Sequence, residues 1–120
     1  MYKLLMIVFL SVLAGCSNNN SNGPTATDIL ENNPSADILQ YEGQVFSNLT
    51  DRYQDQDMEK VELVAEVKKQ TNDPSQFDDL SASTLERGTE LYSTSRKGNV
   101  LLLIASTTEG DQYYRILLEG

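Results

Sequence analysis

Val100-Leu101-Leu102-Leu103-Ile104-Ala105 decides the fold. Six consecutive apolar residues are too few for a core helix and carry no polar alternation, so the run reads as a strand buried on both faces. Working outward, Arg96-Lys97-Gly98-Asn99 before it and Glu109-Gly110-Asp111 after it each supply a glycine for a tight turn, and Leu91-Tyr92 and Tyr113 to Leu118 flank those turns. The last three strands therefore form a meander with the 100–105 run as its central member.

Further upstream the apolar positions alternate, first as Leu39, Tyr41, Gly43 and Val45, then as Val61, Leu63, Ala65 and Val67 with Glu62, Glu66 and Lys68 opposite. Period two means a sheet with one wet face. Between these two strands and the meander lies Asn72-Asp73-Pro74-Ser75. Ser75 with Asp78 three residues on is a capping pattern that allows a short helix between strands two and three, with Phe77 and Leu80 inward. The expected body, residues 37–120, is mainly β: a small curved antiparallel sheet or partly open barrel of about five strands.

Charge and composition narrow the function classes. The chain has 120 residues, 18 acidic and 9 basic side chains, no His, no Trp and one Cys. Without His, Ser-His-Asp and Cys-His machinery is impossible, and a single Cys excludes a disulfide framework and thiolate zinc sites. A net charge of −9 argues against nucleic acid as a partner, because phosphate binding rests on Lys and Arg. Asp51, Asp55, Asp57, Glu59 and Glu62 match positions 1, 5, 7, 9 and 12 of a calcium loop, but Tyr53 and Gln56 stand where a ligand and the turn glycine belong. The stretch reads as a solvated acidic loop. Asp78-Asp79 and Glu86 with Glu90 are paired carboxylates without a demonstrable common cleft, and Asn48-Leu49-Thr50, a sequon by pattern, reads as a strand end. The expectation is a protein that is not an enzyme and has no cofactor, no metal site and no catalytic residue. Tyr113 and Tyr114, adjacent on a strand, face opposite sides, so one can pack inside while the other is exposed for recognition, but the reading favoured for most of the tyrosines is that they complete a small core.

The N-terminus supplies an address. Lys3 is followed by an apolar run from Leu4 to Ala14, broken only by Ser11 and too short to span a bilayer. Leu13-Ala14-Gly15-Cys16 resembles the lipobox of bacterial lipoproteins, in which cleavage between Gly15 and Cys16 follows attachment of diacylglycerol to the Cys. The resemblance implies that residues 1–15 are a lipoprotein signal peptide and that Cys16 carries lipid, palmitate included, at the outer face of the cell membrane. Cleavage would leave 105 residues with a formal charge of −10, since Lys3 is lost. Residues 16–36 would then be the lipidated Cys and a tether, for 17–36 contain six Asn, three Ser, two Pro and one Gly. Asp28-Ile29-Leu30-Glu31 offers at most a transient helical turn within it.

The body also resembles small uncharacterised lipoproteins and secreted proteins of Gram-positive bacteria. The residues that carry this are Ala36-Asp37-Ile38 with Tyr41-Glu42-Gly43-Gln44-Val45-Phe46, Leu85-Glu86-Arg87-Gly88-Thr89-Glu90-Leu91-Tyr92, and Arg115 to Gly120. It implies an extracytoplasmic β-rich module and no activity. The expected function is a membrane-anchored, non-enzymatic binding module whose ligand is a protein or cationic peptide, in the manner of an immunity or inhibitor protein. The alternative is a structural or accessory subunit of a cell-envelope complex.

Overall fold

The computed structural model describes residues 24–56, 58–94 and 100–118. They form a mainly β body around one sheet curled into an open half-barrel. Its strands are β1 (Ile38–Tyr41), β2 (Gln44–Asn48), β3 (Glu62–Glu66), β4 (Lys69–Gln70), β5 (Ser81–Ala82), β6 (Glu90–Ser93), β7 (Leu102–Thr107) and β8 (Gly110–Ile116), in the order β3-β6-β7-β8-β2-β1-β5-β4. All pairings are antiparallel except β4 with β5.

β7 begins two residues into the 100–105 run and continues to Thr107; it is flanked by β6 and β8, and Leu102 to Ala105 are all buried, whereas Leu101 lies before the strand and is 47% exposed. Leu103 and Ala105 point into the curled sheet with Leu39, Phe46, Leu91 and Tyr114, while Leu102 and Ile104 lie in a second cluster on its outer surface with Tyr53 and Tyr113. The β7–β8 turn places Gly110 at φ 118°, a value that favours glycine. The 96–99 turn lies outside the described residues.

Eight strands stand where about five were expected, and two physical reasons account for most of the difference. The alternation from Leu39 to Val45 is a hairpin, because Glu42 and Gly43 both take left-handed backbone (φ 51° and 80°) and fold β2 back on β1, Leu39 opposite Phe46. Both faces of this hairpin are covered, Leu39 and Phe46 inside, Ile38 and Val45 outside. Secondly, the chain bends after β3. Val67 donates its N–H to the Thr89 carbonyl on the β6 side, whereas the next residue, Lys68, donates to the Leu80 carbonyl on the β5 side. One segment thus joins the two ends of the strand order and adds β4 and β5.

The β3 phase also differs from its simple alternation. A register shift between Leu63 and Ala65 lets Val64 and Ala65 both pack toward the inner cluster and leaves Leu63 49% exposed. The short helix expected around Ser75 is a single 3₁₀ turn, Pro74–Gln76, between β4 and β5, and its cap is Asp73, which accepts from the Ser75 N–H at 3.0 Å. Asp78 instead accepts from the Ser81 hydroxyl at 2.9 Å, so the Ser75–Asp78 pattern is not used.

Helix α1 (Ala26–Asn32) overturns the expectation that the chain is a mere tether up to residue 36. Thr25 and Asp28 form a capping box, the Asp28 N–H donating to Thr25 Oγ1 at 3.1 Å. Ala26, Ile29 and Leu30 occupy one face at helical spacing and pack against Ile38 and Val45 on the outside of the β1–β2 hairpin. Helix α2 (Thr50–Tyr53) is one turn long and lays Tyr53 over Tyr113, with ring centres 6.4 Å apart.

Candidate functional site

A half-barrel needs a filled middle, and its ends are where side chains of β strands can turn polar. At the end formed by the β7–β8 turn and the 84–89 loop, the inward positions change from Leu103 and Ala105 to Gln112, Asn48 and the hydroxyl of Tyr114. There the surface opens into a cleft of about 430 Å³. Its floor is Asp37 and Tyr114, and its rim includes Glu86, Arg87, Thr89 and Glu109.

Asp37 is held from two sides. The Tyr114 hydroxyl donates to its Oδ1 at 2.7 Å, and Asn48 Nδ2 donates to its Oδ2 at 2.8 Å. The Asn48 backbone N–H also donates to the Asp37 carbonyl at 3.0 Å, which fixes the residue just ahead of β1. Burial pushes the Tyr114 hydroxyl far above the ordinary tyrosine range, and its hydrogen bond to the Asp37 carboxylate adds to the shift. Tyr114 therefore stays protonated and keeps donating across all physiological pH.

Behind this pair the network continues. Thr50 Oγ1 contacts Asn48 Oδ1 at 2.6 Å and Gln112 Oε1 at 3.1 Å, and it accepts from the Tyr113 backbone N–H at 3.0 Å. Asn48 Nδ2 also reaches Gln112 Oε1 at 3.1 Å. Gln112 lines both the cleft and a second, more open depression bordered by Thr50, Asp51 and Arg52, so the network is a polar partition between the two.

Replacing Tyr114 with Phe should lower stability by about 1–2 kcal/mol, because it removes a donor from a half-buried carboxylate while keeping the ring. A thermal melt within a degree of wild type would contradict this role.

Several residues singled out from sequence are not brought together. Asp51 lies in α2, Asp55 in the turn after it and Glu62 in β3, while Asp57 is outside the described residues. Among the described residues no group of three acidic or thiol side chains is placed to hold a metal ion. Asp79 ties down the β1–β2 turn, accepting from Gln40 Nε2 and the Gly43 N–H at 2.9 Å each, and Asp78 serves Ser81. Glu86 lines the cleft, but Glu90 accepts from the Tyr92 hydroxyl at 2.9 Å in β6.

Tyr113 and Tyr114 do face opposite sides of β8, yet both are buried. Helix α2 covers the outer one, leaving Tyr113 only 9% exposed, so neither stands free for recognition. Gly15 and Cys16 lie outside the described residues, and among the described residues no helix is long and apolar enough to cross a membrane. Asn48 and Thr50, read from sequence as a strand end, are members of the network. Their importance depends on Gln112 and Asp37, which no local pattern connects to them.

No protein-family model, no curated protein and no solved structure matches this chain.

Proposed function

We propose that the protein is a lipid-anchored, extracytoplasmic binding module that captures a cationic protein or peptide and performs no chemistry on it. One observation carries this reading: the polar cleft at the end of the half-barrel is lined, among the described residues, by three carboxylates, Asp37, Glu86 and Glu109, against one cation, Arg87. The net charge of −9, or −10 after processing at Cys16, supports it by steering a cationic ligand inward. At the rim, Thr89 donates to the Glu86 carbonyl and Thr107 to the Gly110 carbonyl.

Two measurements test the reading. A lysine homopeptide should bind the full-length chain in detergent micelles at low ionic strength and lose that binding in salt on the order of 0.5 M, where screening is short-ranged. Equal binding in both salts, or none in either, would discard the cationic ligand, and a stably co-purifying membrane protein in its place would point to an accessory envelope subunit. For the anchor, Cys16→Ala should abolish incorporation of labelled palmitate, since the chain has no other thiol. Equal labelling of both chains would remove the lipid from the proposal.

A further inference from the structure

Asp37 differs from the other carboxylates of the cleft in its surroundings. It is half-buried, its two oxygens are held by Tyr114 and Asn48, and among the described residues it has no ion pair. Both donors are neutral, so they orient the carboxylate without cancelling its charge. A carboxylate offers about four lone-pair sites, and two are taken. A partly desolvated negative charge with free acceptor capacity, opening into a cleft of about 430 Å³, is an unfinished ion pair.

We propose that this cleft receives a primary ammonium, the side-chain end of a lysine, with Asp37 as its anionic receptor and Glu86, Glu109 and the rim hydroxyls around it. The inference rests on the reading of the protein as a module for cationic ligands and names the group that is read.

The chemistry favours ammonium over guanidinium. A guanidinium prefers a flat, bidentate approach to both oxygens of one carboxylate, which at Asp37 must fit between the Tyr114 and Asn48 donors on those oxygens, whereas one free lone pair suffices for an ammonium. An ammonium is compact and sends three donors in diverging directions. Besides Asp37, the acceptors that line the same cleft are Glu86, Glu109 and the side-chain oxygens of Thr84 and Thr108. Arg87, the single cation lining the cleft among the described residues, is exposed at the rim, where its long side chain can turn to water.

The test uses the full-length, isotope-labelled chain in detergent micelles and three small probes: the N-acetyl methylamides of lysine, norleucine and arginine. The lysine probe should produce saturable shifts of the Asp37, Thr89, Thr108 and Gln112 backbone amides. Norleucine, which has the same stem without the charge, should produce none, and arginine should bind more weakly. Asp37→Asn should lower the affinity for the lysine probe roughly tenfold or more, as expected for loss of a charge-assisted hydrogen bond. If Asn at position 37 disturbs the fold, as judged by amide dispersion, the combined Glu86→Gln and Glu109→Gln exchange on the exposed rim should still weaken the titration several-fold.

Equal or tighter binding of the arginine probe, shifts gathered at Asp78 and Asp79 instead, or an affinity unmoved by these variants would overturn the inference. Salt-sensitive binding of the lysine homopeptide without cleft shifts would overturn it as well, yet leave the proposed function standing. Cleft shifts without homopeptide binding would keep the ammonium site and discard the peptide ligand.

Discussion

Ile104→Asp should leave the chain without a cooperative thermal transition. Ile104 is fully buried in β7, opposite Tyr92 of β6 and Tyr113 of β8, and its outer-face neighbours are Leu102, Tyr53 and Tyr113. Removing the aliphatic side chain alone costs roughly 2–5 kcal/mol. The new carboxylate would sit among aromatic rings, and the adjacent Arg115 is already bonded to the Tyr53 hydroxyl at 2.6 Å. Small domains hold only about 0.05–0.15 kcal/mol per residue in total, so the two losses together exceed what this body can spare. Ile104→Val, which keeps the shape and adds no charge, should cost about 0.5–1.5 kcal/mol. A cooperative melt of the Asp variant within a few degrees of wild type would show that β7 is not the centre of the fold.

The second large effect concerns a segment that composition assigns to a tether. Leu30→Ala should lower the midpoint by roughly 8 °C or more, from a loss of about 2–4 kcal/mol at roughly 4–8 °C per kcal/mol in a domain this small. Leu30 is 2% exposed and packs with Ala26, Ile38 and Val45, while Phe77 closes the same cluster from the 3₁₀ turn. Deleting residues 24–36 should destabilise at least as much, because it also exposes the outer surface of the β1–β2 hairpin and removes the Ala36 carbonyl that accepts from Ser83 Oγ at 2.6 Å. An unchanged midpoint in the deletion would return these residues to the role of a spacer.

What could be read in advance follows the range of the forces involved. Val100 to Ala105 was legible because a short run that is apolar on both faces has one common solution, an interior strand, and β6, β7 and β8 are the meander it implies. The β1–β2 hairpin was obscured because Gly43 fits an apolar alternation as well as a turn, and only the left-handed backbone of Glu42 and Gly43 separates the two. Helix α1 does have a local signal in the Thr25–Asp28 capping box and the spacing of Ala26, Ile29 and Leu30, but six Asn in twenty residues outweigh it by composition. The strands β4 and β5, two residues each, exist only because the bend at Val67 and Lys68 brings them to an edge. The cleft was beyond reach for a related reason. Asp37 meets Tyr114 and Thr50 meets Gln112 across 77 and 62 positions, and hydrogen bonds at such separations leave no periodic trace.

Helix α1 also sets a depth. Because the packed body begins at the Thr25 cap, only eight residues separate it from Cys16, and however they are arranged they reach at most about 30 Å. A lipid on Cys16 would thus hold the start of the packed body within a shell over the bilayer hardly deeper than the membrane core is thick. Such a module would act as a sentry at the lipid surface rather than a fishing line cast outward, meeting only those ligands that have already crossed whatever lies beyond. The length of its leash, more than the affinity of its cleft, would decide which cationic molecules it ever encounters.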